Sequence, residues 1–86
     1  MPEISRFFGI VIRMYFDDHQ PPHFHARYGG TESVIAINPV HVICGDLPPR
    51  AVSMVVEWAA LHQQELMDNW QRLRRSQPAD RIAPLR

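Results

Sequence analysis

The stretch "HFHARYGGTESVIAIN" (23–38) decides the fold. Two runs rich in β-branched and aromatic residues flank Gly29-Gly30, which reads as a two-residue hairpin with a primed turn. That turn sets a register: Tyr28 faces Thr31, Arg27 faces Glu32, His25 faces Val34 and His23 faces Ala36. Opposed residues share a face, so Arg27 and Glu32 are expected to form a cross-strand ion pair. Phe24, Ala26 and Ile35 fall on the other, core-like face. A primed turn of the first type asks for positive φ at both Gly29 and Gly30.

Outward from the hairpin, "RFFGIVIRMYF" (6–16) carries a strand signature. Alternation places Phe8, Ile10, Ile12, Met14 and Phe16 on a core face, and Phe7, Val11, Arg13 and Tyr15 on the other. "DDHQPP" then ends the strand, because Pro21 and Pro22 cannot donate to a ladder. "VHVICGDL" (40–47) is a shorter fourth strand. Folded back near Asn38-Pro39, it brings His41 opposite Ala36. Cys44 in this apolar run reads as a small buried residue.

Pro48 and Pro49 open a long helical pattern, since proline suits the first helical turn. Val52, Val55, Ala59, His62, Leu66, Trp70 and Leu73 recur at spacings of three and four, forming one apolar stripe to about Ser76. The length leaves room for a break near Leu61–Gln63, and the sequence leaves open whether the helix is continuous. Trp58 and Trp70 read as core or interface anchors, and His62 as a hydrogen bonder at the core edge. The tail from Pro78 to Arg86 has two apolar residues, Ile82 and Leu85, expected to dock in extended form. The expected architecture is α+β in a single domain of residues 1–86. It is an antiparallel meander of about four strands (6–47), a long and potentially broken helix (49–76) and an extended tail (78–86).

Eighty-six residues bury a thin core, so a protein partner or homo-oligomer would add stability. All nine basic residues are arginine and nine acids balance them. A neutral chain lacks the excess positive charge of a nonspecific nucleic-acid binder. A lone cysteine allows no internal disulfide, which fits a reducing compartment. No apolar run reaches the roughly 18 residues that span a bilayer, and "MPEISRFF" lacks the order of a secretion signal. The expected location is cytoplasmic, with no membrane partner.

Chemistry concentrates in "HQPPHFHARYGG" (19–30). Period two puts His23 and His25 on one face, about 6–7 Å apart at Cα, and that face points away from the core, so both imidazoles are expected to be partly accessible. His19, His23 and His25 are candidate ligands for a divalent metal, with Asp17, Asp18 or His41 as a further donor. The spacing matches none of the strong zinc motifs. Without metal, His23 and His25 can act as general acid and base, with Arg27 and Tyr28 as candidate substrate contacts in an RNA-cleaving or other hydrolytic site. Arg72, Arg74 and Arg75 read as a solvated helix end, and with Ile82 and Leu85 they are candidate contact residues for an RNA or protein partner. No GxGxxG, P-loop, CxxC pair or GxSxG is present.

The strand before PPHFHARYG (21–29), that segment itself, the "LPPRAVSMVVEWAALHQQELMDNW" helix and the tail "RIAPL" together resemble a small bacterial domain-of-unknown-function family, number 4160. The resemblance covers nearly the whole chain. It implies a stand-alone cytoplasmic protein encoded beside another small domain, an arrangement similar to two-gene toxin–antitoxin modules. The expected function is a small interaction protein, one component of such a pair. A His-based endoribonuclease or hydrolase and a metal-binding module without catalysis remain as alternatives.

Overall fold

The computed structural model describes residues 3–16 and 19–86. Five strands form one antiparallel meander in the order β1 (Glu3–Phe7), β2 (Ile10–Arg13), β3 (His23–Tyr28), β4 (Thr31–Ile37) and β5 (Val40–Gly45). Two helices follow, α1 (Pro49–Leu61) and α2 (Gln63–Arg74). The class is α+β, as expected, with five strands rather than four.

The extra strand arises because the run 6–16 is not one strand: a turn inside it makes a hairpin that spans Glu3 to Arg13. Phe8 and Gly9 make a two-residue turn with φ of 50° and 80°, positive at both positions as a type I′ turn requires. Phe7 then pairs with Ile10. The turn resets the alternation: Phe7 is buried, while Phe8 and Phe16, expected in the core, are 59% and 52% exposed. Ile10, Ile12 and Met14 are buried as expected. At the central hairpin every expected pair is present, from Tyr28–Thr31 to His23–Ala36, and His41 lies opposite Ala36. Its turn differs in type. Only Gly29 has positive φ, 60°, the type II′ pattern, and a Cβ on Gly30 would meet nothing within 4 Å. Gly30 is therefore not conformationally obligatory.

The helices cover the sheet face that carries Ile10, Ile12, Phe24, Ala26, Ile35 and Ile37. Trp58 is at the centre, with its ring 5.3 Å from Phe7 and 5.7 Å from Phe24. The helical run breaks at His62, whose N–H donates to Trp58 and Ala59 and whose carbonyl accepts from Leu66. Glu65, three residues on, holds the His62 ring, and the Gln63 side chain donates to the Ile37 carbonyl. The break thus lets α2 start against the end of β4. Helix α2 ends in a Schellman motif: Ser76 has φ of 57°, and the N–H groups of Gln77 and Ser76 return to Arg72 and Leu73. Cys44 is exposed rather than buried, because β5 is an edge strand.

The tail docks on its own chain. Ile82 is 4% exposed, and Leu85 packs against the core. The Ile82 N–H donates to Ile4, Trp58 donates its indole N–H to Ala83, and the buried Asn69 amide both donates to and accepts from the Asp80 backbone. Asn69→Ala leaves those backbone groups unpaired and is expected to cost about 1–3 kcal/mol. Urea unfolding should register that loss, and hydrogen exchange should register lost protection at Ile82. Full retention of both would show that the tail is held without the clamp.

Candidate functional site

Strand period and pairing bring His23 and His25 together, with ring centroids 5.3 Å apart. The His25 Nδ1 is 3.1 Å from a Glu32 carboxylate oxygen, and the edge of Tyr15 meets its ring at 4.6 Å. His23 Nδ1 lies 2.8 Å from the Pro21 carbonyl. A carbonyl only accepts, so this ring carries its proton on Nδ1. His25 is half-buried, as expected, but His23 is only 9% exposed. The difference comes from α2: Trp70 stands 5.2 Å from the His23 ring. Arg74 lies over Trp70 at 4.2 Å and donates to the Phe16 and Tyr15 carbonyls. Tyr15, His25, His23, Trp70 and Arg74 therefore form one continuous row of edge-on and tilted ring contacts that joins the open sheet face to the end of α2.

An imidazole held at Nδ1 by a carboxylate or carbonyl has a fixed ring plane, the arrangement that orients histidine bases and histidine metal ligands alike. Other expected members are not assembled here. Arg27 donates to Gly29, while the carboxylate of Glu32 pairs with His25, two residues nearer the strand start. The expected Arg27–Glu32 ion pair is replaced by this diagonal one. Tyr28 pairs with Ile10 and Thr31, so it lies on the face opposite His23 and His25. His19 is exposed, and His41 is turned toward Pro39. Among the described residues no group of three or more His, Cys, Asp or Glu is placed to hold a metal. Asp17 and Asp18 lie outside the described residues.

The arginines at the helix end are engaged within the chain. Arg72 pairs with Asp80 at 2.8 Å and Arg74 lies over Trp70; Arg74 and Arg75 are both exposed, as expected of a solvated helix end, while Arg72 is partly buried.

A second feature escaped the sequence reading. Phe8 and Tyr28 flank a hollow of about 240 Å³, lined also by Pro48, Arg50, Ala51 and Met54. The Phe8-Gly9 turn builds it: a Cβ on Gly9 would lie 3.3 Å from the Tyr28 ring. Phe8 combines a left-handed backbone, uncommon for a bulky residue, with a solvent-exposed ring. The Phe-Gly pair was the available signal, hidden inside a run of uniform strand propensity.

No helix among the described residues is long and apolar enough to cross a membrane. No curated protein and no solved structure gives a significant match to the chain. Residues 9–71, which include the Phe8-Gly9 turn's second residue, the His23–His25 strand and both helices as far as Gln71, match the family model described as "Domain of unknown function (DUF4160)". With that span well over half of its length, the chain belongs to the DUF4160 family.

Proposed function

We propose that this is a small bacterial cytoplasmic interaction protein, one component of a toxin–antitoxin-like pair, which seats an apolar, acid-bearing segment of its partner between Phe8 and Tyr28. The observation that supports the reading is the pairing of two exposed aromatic rings across an apolar hollow, with one ring on strained backbone. Among the described residues Arg50 is the one charged residue in the lining, and α1 has no acid in its first turn. The seat therefore favours a carboxylate next to the buried side chain. Aromatic and arginine anchors of this kind dominate protein interfaces.

Phe8→Asn separates binding from folding, because asparagine tolerates positive φ. Co-expressed with the product of the adjacent gene, the variant should keep its melting temperature and bind at least about tenfold more weakly, a loss of about 1.4 kcal/mol. Growth arrest caused by one partner should no longer be relieved by the other. Unchanged affinity would remove the seat from the interface.

A second reading, a His-based endoribonuclease or hydrolase, is favoured by the Glu32-oriented His25 ring beside His23. Here His25 and His23 would exchange protons with substrate. His23→Gln/His25→Gln is expected to lower RNA cleavage at least about 100-fold while melting stays cooperative. Cleavage that disappears with a chelator would assign the histidines to a metal enzyme. Bound metal without cleavage would assign them to a metal-binding module, and wild-type cleavage in the variant would clear them of catalysis.

A further inference from the structure

The two edges of the sheet are treated differently. The β1 edge is closed by the chain's own tail: Ile82 donates its N–H to Ile4 at 2.8 Å, and the Arg81 guanidinium donates to the Glu3 carbonyl at 3.1 Å. The β5 edge has β4 on one side and no further strand on the other among the described residues. From His41 to Gly45 every residue of β5 is exposed, including Val42 at 38% and Ile43 at 42%. Folded monomers usually blunt such an edge with charge, proline, a bulge or a covering segment. Val40 to Gly45 contains no charged residue and no proline. A bulge at the level of Val34/Ile35 is the one irregularity in its pairing with β4.

We propose that β5 pairs antiparallel with β5 of a second copy of this chain, joining the two sheets edge to edge. A two-fold axis requires a self-complementary surface. A charged edge strand would set like charges opposite each other across that axis, which is destabilising; β5 carries none, and the whole chain is formally neutral. Antiparallel pairing about the axis also matches faces. Val40 and Val42, which pair with the core residues Ile37 and Ile35, meet their counterparts on the helical side. His41 and Cys44, which pair with Ala36 and Val34, meet theirs on the open side. Helix α1 contacts β5 but leaves Val42 and Ile43 partly uncovered, so their apolar surface is available to a second copy. The joint buries what a small domain leaves exposed. It is separate from the Phe8–Tyr28 seat, so neither depends on the other.

The experiment uses the full chain. Native mass at micromolar concentration is expected to show two copies. Val42→Lys and Val42→Glu each introduce like charges across the axis and should weaken self-association at least tenfold. An equimolar mixture of the two variants should restore the dimer, because the charges then oppose. Cys44 is the sole cysteine and is exposed, so it takes a nitroxide label in the otherwise unaltered protein. A register pairing four or more residues of each strand places the two Cys44 Cα atoms within about 20 Å, and dipolar spectroscopy should read one short distance. Native mass of the unlabelled chain and the distance in a labelled chain of the same native mass together decide the matter even where a Val42 variant fails to fold. A monomer at these concentrations, a dimer indifferent to both Val42 charges, or a dimer without a short Cys44 distance would each overturn the proposal.

Discussion

Replacing Trp58 by alanine is expected to lower stability by about 3–5 kcal/mol. The side chain is 0% exposed and touches each layer of the molecule: Phe7 in β1, Phe24 in β3, His62 at the helix break and Ala83 in the tail. Alanine removes the transfer energy of the indole and leaves a cavity that rigid neighbours cannot fill. It also removes the donor that holds Ala83. Small domains have only about 5–15 kcal/mol in total, so a large part of the population should unfold at moderate urea. Trp58→Phe keeps a ring in the core and loses the hydrogen bond, so it should fall well short of the alanine loss. Equilibrium denaturation, followed through the remaining Trp70, distinguishes the two. A loss under about 1 kcal/mol for Trp58→Ala would contradict the central position of this residue.

Gly45→Val is expected to cost at least about 3 kcal/mol. Gly45 has φ of 120°, a region that side chains rarely adopt. A Cβ there would stand 2.3 Å from the Ser33 Cα and 2.4 Å from the Glu32 carbonyl oxygen. Backbone, not a flexible side-chain tip, would have to move. The same few residues carry the chain from β5 into α1. Asp46 donates its N–H to Glu32 and accepts from the Glu32 N–H, and Leu47 donates to Ser33. Displacing Gly45 would disturb all three bonds. Gly30→Ala is the control: it has open space and no positive φ, so a change within about 0.5 kcal/mol is expected. Equal effects at Gly30 and Gly45 would mean that the chain does not pass Ser33 this closely.

The contrast between these glycines shows which features were readable in one dimension. Gly29-Gly30 lies between two strands of clear pattern, and loop length alone dictates which residues oppose each other, so the register of His23 to Tyr28 against Thr31 to Ala36 followed correctly. Gly45 looked like one residue in a short apolar strand, because its constraint is set by Ser33, twelve positions away. The Phe8-Gly9 turn was hidden for a related reason: aromatic and β-branched residues run straight through it, so propensity carried no boundary.

The candidate site divides along the same line. Period two in an extended strand is local geometry, so His23 and His25 were placed side by side from sequence alone. Burial of His23 under Trp70 is not local; it depends on the break at His62, which sends α2 back across the sheet end. The partner of Glu32 was misread because cross-strand pairing fixes Cα positions but not the direction of long side chains, and His25 reaches the carboxylate diagonally.

By itself, then, the sequence determined the class, the central hairpin with its register, the helical stripe and the shared face of His23 and His25. Each rests on short-range periodicity or on turn length, which neighbouring residues enforce. Tertiary structure alone decided that the tail closes the β1 edge while β5 stays open, that Phe8 and Tyr28 frame a hollow, and that Trp70 and Arg74 complete the histidine row. These depend on where whole elements pack, and packing is settled by the summed burial of residues far apart in the chain.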